Sequence, residues 1–445
     1  MLKLLPLVLF AIINLTNAFI IDRSEDEFID PDTFRSTMEL ITSRGFEAEE
    51  HRVITADGYI LSMQRIVNPF QWPTKRKPVL MIHGLMDSSA TFVMNSPGGF
   101  AQSYSSNRSE PITNLNNLGF AVANHGYDVW LGNTRGNVYS QSHVNMSASD
   151  HAFWDFSIDE MVAYDLPAFI EHILKATDET SLGYVGHSQG TGIMFALLAS
   201  QPKYNEIIKP YIALAPVISI KHFKTPVIYL ANIPHALELL EKIGGPFPPR
   251  RYPPLNAIIV NIFCHGFNTF NCENLVFMGT GFDWQEANPD RLRVYASHCP
   301  SPTSIKDIAH FVQGYRSGLF AKYDYGAKKN LELYGSVEPT EYRIENITNK
   351  YMAFFYSRND WDADPIDVNL LINRLNVDLY ENYEIPVKSW NHMDFVWAKD
   401  SGKYVTTKIL EVLDRANNVQ LRPRPKSETQ KRHLSEHDPS FNEVE

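Results

Sequence analysis

The pentapeptide Gly186-His187-Ser188-Gln189-Gly190 constrains this chain more than any other feature. Leu182–Val185 before it is a short apolar strand candidate, and Gly192–Ser200 after it reads as a strongly apolar helix. A serine between strand and helix takes a sharp, strained turn, and its Oγ projects into open space. Glycines are needed on either side, because a side chain there would strike the neighbouring strand or helix. The spacing predicts a serine nucleophile on a strand-to-helix elbow.

Around the elbow the pattern alternates. Tyr59–Ile66, Val79–Ile82, Val129–Leu131 and Tyr211–Leu214 read as strands. Ser157–Ala176 reads as a helix, with Ser157 and Glu160 spaced as a capping box. This order predicts an α/β protein with a central, mostly parallel sheet. Residues 216–350 then fill a single connection, far more than a crossover needs. They are expected to form an inserted subdomain, with a proline-rich hinge at Pro246-Phe247-Pro248-Pro249. The sheet pattern resumes at Tyr351–Tyr356 and Tyr383–Val387, and a last helix is expected near Tyr404–Ala416. The core is thus expected from 19–215 and 351–420.

The termini differ in character. Met1-Leu2-Lys3 followed by the apolar Leu4–Leu15 and the small residues to Ala18 reads as a secretory signal peptide over 1–18, too short for a comfortable membrane span. No later stretch suits a transmembrane anchor. The segment 421–445 is polar and poor in large apolar residues, and is expected to be disordered. Sequons begin at Asn107, Asn145 and Asn346, which behind a signal peptide are candidate glycosylation sites. Of the three cysteines, Cys264 and Cys272 are close enough to close a small loop in an oxidising compartment, which leaves Cys299 unpaired. Their spacing does not resemble a metal site, and no cofactor is required. A net charge of −11, without a basic patch interleaved with aromatics, argues against a nucleic-acid partner.

A serine nucleophile needs a base, and the base needs a carboxylate to hold its tautomer. His392, in Asn391-His392-Met393-Asp394-Phe395 after the last strand candidate, is placed to be the base. His187 adjoins Ser188, but neighbouring side chains diverge on the elbow, so it is expected to pack beside the strand. For the acid, the run Asn359–Pro365 offers Asp360, Asp362 and Asp364. Asp364 before Pro365 looks like a helix N-cap. Asp360, nearest the strand end, is the first choice and Asp362 the second. An oxyanion hole needs two backbone N–H groups. Gln189 follows the nucleophile, and Leu85 follows the apolar strand Val79–Ile82 and the turn His83-Gly84.

Together these residues resemble the acid lipase family of gastric and lysosomal lipases. The resemblance is carried by His83–Ser89, Asp128–Asn137, Phe153–Ser157, Gly186–Gly190, Ala213–Pro216, Ala363-Asp364-Pro365 and Asn391–Phe395, and runs from about residue 30 to about residue 415. It implies an α/β-hydrolase fold with 216–350 as a cap and lid over the acyl site. It also implies Ser188, Asp360 and His392 as the triad, Leu85 and Gln189 as oxyanion donors, and a Cys264–Cys272 disulfide. The implied activity is hydrolysis of neutral lipid esters, triacylglycerols or sterol esters, at a lipid–water interface, by a protein of the secretory pathway that is secreted or lysosomal. Two other readings share much of the sequence. One is a carboxylesterase for smaller esters, and the other a lipid-binding homologue without catalysis.

Overall fold

The computed structural model describes residues 29–70, 77–102, 114–225, 235, 239, 242–248 and 279–418. The expected signal peptide, the polar segment 421–445, Cys264, Cys272 and Asn107 lie outside the described residues. Asn145 and Asn346 are both exposed, and Cys299 is half-buried and free.

The central sheet is built from β1 (Glu47–Ile54), β2 (Tyr59–Val67), β3 (Pro78–Ile82), β4 (Asp128–Gly132), the short β5 (Ser142–His143), β6 (Leu182–His187), β7 (Ile208–Leu214), β10 (Met352–Tyr356) and β11 (Glu381–Glu384). Between β7 and β10, the two-residue strands β8 (Pro246–Phe247) and β9 (Thr303–Ser304) pair separately. The main order is β1-β2-β4-β3-β6-β7-β10-β11, with β5 paired to β2. The pairs β1–β2 and β2–β4 are antiparallel, and every later pair along this order is parallel. This is the mostly parallel sheet of the α/β-hydrolase fold.

The central strands are apolar at nearly every position because the sheet is covered on both faces. Val79, Met81, Val129, Leu131, Val185, Ile212 and Phe355 face one cluster, with Ile409 and Leu413 of the helix Thr407–Ala416. Leu80, Ile82, Trp130, Tyr184, Ala213 and Phe354 face the other, with Phe169 and Ile173 of the helix Leu166–Thr177. This alternation is the period of two expected of strands. Val294 and Tyr295 from the long insertion join the first cluster, and Phe320 and Ile344 the second.

Some boundaries differ from the sequence reading. The last strand ends at Glu384 and not Val387. Pro386 lacks the N–H needed to extend the ladder, and the apolar residues beside it pack on the core from a loop. The helix after the elbow begins at Gln189, immediately after the serine. The Ser157/Glu160 capping box is present, but the helix passes through a π turn at Met161–Asp165 before Leu166–Thr177. Pro167 cannot donate to the carbonyl four residues back, and the wider turn accommodates that missing bond. The final helix likewise begins with a π turn, Gly402–Thr406.

Candidate active site

Four loops meet at the carboxyl edge of the parallel strands, following β3, β6, β10 and β11, which is where such sheets carry ligands. The register aligns them. Ile82 pairs with Gly186, His187 with Leu214, and Leu214 with Phe355.

Ser188 sits at φ 53°, ψ −120°, a left-handed conformation that a non-glycine residue adopts at a cost of about 1–3 kcal/mol. Its neighbours show why the glycines are needed. A Cβ on Gly186 would lie 2.6 Å from the Gly190 carbonyl oxygen, and one on Gly190 would lie 2.4 Å from the carbonyl oxygen of Ile82. The helix therefore presses directly on two strands, and the turn is held from below.

Ser188 Oγ lies 2.7 Å from His392 Nε2. On the other side of the ring, Nδ1 lies 2.9 and 3.0 Å from the two oxygens of Asp360. A carboxylate can only accept, so Nδ1 carries a hydrogen, and in the neutral ring Nε2 is the lone pair facing the serine. Asp360 is fully buried and its Oδ1 also accepts from the backbone N–H groups of Asp362 and Ala363, at 2.9 and 2.7 Å. These bonds turn its carboxylate back toward the imidazole. Asp364 instead caps the helix Pro365–Arg374 through Ile366 N–H, as its place before a proline suggests.

Burial alone would lower the pKa of His392, but the negative charges of Asp360 and Asp362 outweigh it and hold it up at about 9. Asp362 is the second carboxylate, 3.8 Å from Nε2. Burial pushes its own pKa up to about 6, against the pull of His392.

His187 is buried, and its Nε2–H donates to the main-chain carbonyl of His392 at 2.9 Å. Burial, reinforced by the neighbouring His392, pushes its pKa down to about 3. It anchors the loop that carries His392 as a neutral ring.

The loop after β3 lies against the serine, because a Cβ on Gly84 would be 3.1 Å from Ser188 Cβ. His83 fixes this loop. Its Nε2 accepts from Thr134 N–H at 3.3 Å and from Asn137 Nδ2 at 3.1 Å, so the hydrogen sits on Nδ1 and donates to the Gly84 carbonyl at 2.8 Å. Burial keeps this ring neutral, with its pKa pushed down to about 4. In a trans peptide the N–H points opposite to the carbonyl. The Leu85 N–H therefore points away from His83. On the far side of the loop, Met86 takes φ 55° and its carbonyl accepts from Ser301 N–H at 2.6 Å.

Gln189 opens the elbow helix, where the first N–H groups have no helical carbonyl to bond and the helix dipole is positive. Its side chain has a separate partner. Nε2 donates to both oxygens of Asp307, at 3.0 and 2.8 Å, and Thr303 Oγ1 donates to the same carboxylate at 2.8 Å. A largely apolar cavity opens beside Gln189, lined by Ile193, Val217, Ile218, Ile220 and Phe311, with Lys322, Asp324 and Glu338 also on its wall.

Ser188, Asp360, His392, Leu85 and Gln189 thus sit at adjoining strand ends, and Ser188, His392 and Asp360 form one hydrogen-bonded chain. Sequence reasoning missed the groups that hold them: His83, Asn137, Asp307, and His187 as a loop anchor. Asn137 lies in Asp128–Asn137, one of the blocks that carry the resemblance to the lipases, so a signal existed there. Asp307 lies 118 residues from its partner and carried none. The block also holds Arg135, which is buried between Asp165 and Asp57 and covers the Tyr59 ring at 4.0 Å. Among the described residues no cluster of three or more His, Cys, Asp or Glu could hold a metal ion, and no helix is long and apolar enough to cross a membrane.

Comparison with known proteins accounts for this arrangement. Residues 37–96 match a partial alpha/beta-hydrolase lipase region, and residues 77–232 match the alpha/beta hydrolase fold. The chain is 37% identical over 389 residues to the gastric triacylglycerol lipase of Bos taurus, covering 86% of this chain and 92% of the relative. It is 33% identical over 417 residues to a putative lysosomal acid lipase/cholesteryl ester hydrolase of Crotalus adamanteus, covering 92% and 98%. It is also 33% identical to the lysosomal acid lipase/cholesteryl ester hydrolase of Macaca fascicularis, covering 86% and 92%. Similarity of this degree over almost the whole of both chains means that this protein belongs to the family of gastric and lysosomal acid lipases.

Proposed function

We propose that this protein is a lipase that hydrolyses carboxylic esters of neutral lipids, triacylglycerols or sterol esters, through an acyl-enzyme on Ser188. The observation that carries the reading is the unbroken chain from Ser188 Oγ through His392 to Asp360, at 2.7 and 2.9 Å, beside the Gly84–Leu85 loop.

Ser188 Oγ attacks the ester carbonyl as its proton passes to His392 Nε2. Asp360 holds the imidazolium that forms. Negative charge develops on the carbonyl oxygen, where the N–H groups of Leu85 and Gln189 receive it. The tetrahedral species collapses, the Nε2 proton goes to the leaving alkoxide, and the acyl group stays on Ser188. Water then repeats the sequence, with His392 taking its proton, and releases the fatty acid. Every proton moves between groups of the chain, substrate and water, so no cofactor enters.

The acyl chain would lie in the apolar cavity beside Gln189, with 216–350 as the cover. The sequence reading of a secretory signal peptide, together with relatives named for gastric and lysosomal enzymes, supports a secreted or lysosomal protein acting at a lipid–water interface.

The test is hydrolysis of emulsified triolein, cholesteryl oleate and a short soluble ester across pH 4–8, with Ser188→Ala as control. Turnover of the long-chain lipids that is lost in the variant is expected. Turnover of the soluble ester alone would leave a carboxylesterase.

A further inference from the structure

We propose that Asp362 is a positioning residue for the catalytic base: it acts on His392 from the Nε2 side and sets the pH range in which Ser188 and His392 work together. This inference rests on the reading of Ser188, His392 and Asp360 as the triad.

The triad needs one carboxylate, and Asp360 occupies that place on Nδ1 with its Oδ1 shared by two further backbone N–H groups. Asp362 is a second one on the opposite side of the ring. Its Oδ1 accepts from Thr225 Oγ1 at 2.6 Å, and the same hydroxyl lies 2.8 Å from the Gly279 carbonyl. That contact, made by a residue of the long insertion, orients the carboxylate. Its other oxygen, Oδ2, is left 3.8 Å from His392 Nε2. This is the nitrogen that receives the serine proton.

The titratable groups facing the imidazole among the described residues are Asp360 and Asp362 from the loop after β10 and His187 from the end of β6. His187 is neutral, so above about pH 6, where Asp362 is ionised, the field at the ring is that of two anions. Facing Asp362 are His392, Asp360 and the uncharged Thr225.

Two consequences follow. When the Ser188 proton moves to Nε2 and Oγ bonds to the carbonyl carbon, the positive ring lies between two negative charges, which favours the step. The same field keeps the resting ring protonated to higher pH than Asp360 alone would, since an opposite charge nearby raises the pKa of a base. Asp362 therefore strengthens the base and moves its acid limb upward.

The experiment is the pH dependence of kcat and KM for p-nitrophenyl butyrate from pH 5 to 10.5, on wild type, Asp362→Asn, Thr225→Val and Asp360→Asn. Labelling of Ser188 by an alkyl phosphonate confirms that each variant is folded. In Asp362→Asn the acid limb of kcat/KM is expected to move down by about one pH unit, with KM unchanged and plateau kcat reduced several-fold. Thr225→Val should move the limb in the same direction by less. A limb that stays in place or moves upward in a stoichiometrically labelled Asp362→Asn enzyme overturns the inference and leaves the triad standing. Wild-type rates in Asp360→Asn would instead overturn the triad reading, and this one with it.

Discussion

The side-chain amide of Gln189 donates to both carboxylate oxygens of Asp307, at 3.0 and 2.8 Å. A residue of the long insertion thereby grips the residue next to the nucleophile. Ser304 caps the helix that carries Asp307, and Thr303 Oγ1 supplies a further donor to its carboxylate. The insertion and the start of the elbow helix are therefore one mechanical unit.

Asp307→Ala should loosen Gln189 and leave its amide buried without an acceptor. A stability loss of about 1–3 kcal/mol is expected in urea unfolding. Steady-state kinetics should show kcat down by about tenfold, roughly 1.4 kcal/mol of barrier, with KM little changed. A change confined to KM would mean that Gln189 only contacts substrate.

His83 fixes the Gly84 carbonyl and so aims the Leu85 N–H. Losing an oxyanion donor outright costs about 10²–10³ in kcat, and misaiming one should cost about tenfold. His83→Ala should show this loss while phosphonate still labels Ser188 at full stoichiometry. An unaltered kcat would remove Leu85 from the oxyanion site.

Gly190→Ala brings a Cβ to 2.4 Å from a strand carbonyl. Backbone on both sides cannot give way, so the elbow must distort. Unfolding should become easier by about 1–3 kcal/mol, and ester hydrolysis should fall further than stability alone explains. Full activity with unchanged stability would contradict the packing described.

Stability should respond to pH in a stated direction. Burial raises the pKa of Asp87 to about 7 and of Asp307 and Asp362 to about 6, and pushes Asp394 well up. For a carboxyl raised in the folded state, the stabilisation is full below the unfolded pKa and is lost as pH rises through the folded one. Opposing this, burial holds His83 at about 4 and His187 at about 3, and lowers His298, so these cost stability once the unfolded chain protonates below about pH 6.5. From pH 8 down to pH 6 the folded chain gains protons at these carboxyls and holds His392 protonated, its pKa near 9, which outweighs proton uptake by the three buried histidines in the unfolded chain. Calorimetric Tm should rise over that window and then level off as the histidines offset them. A Tm that falls between pH 8 and 6 would refute the account, and Asp87→Asn should flatten the rise.

The elbow, His392 and the turn after β3 could be picked out because each is a local pattern with its own mechanical reason. Gly186 and Gly190 announce a close approach of backbones, and His392 stands in the loop after the last strand, where a base is expected. The choice of acid was harder, since Asp360 and Asp362 are two residues apart and of the same type. What separates them is the turn in which Asp360 accepts the N–H groups of Asp362 and Ala363, and where that turn meets His392. That is a tertiary fact. The roles of Asp307 and Thr225 were invisible for the same reason, because their partners lie over a hundred positions away. The early end of β11 at Glu384 shows the reverse error, in which apolar residues after a strand were counted as part of it.

The most direct test of Ser188 as the nucleophile is rapid-quench mass spectrometry of the enzyme during turnover of p-nitrophenyl butyrate at the pH of its maximal rate. The account predicts a butyryl adduct on the peptide carrying Ser188, which builds up faster than it decays in wild type and is absent in Ser188→Ala. Undiminished hydrolysis by Ser188→Ala, or an adduct on any other residue, would contradict it.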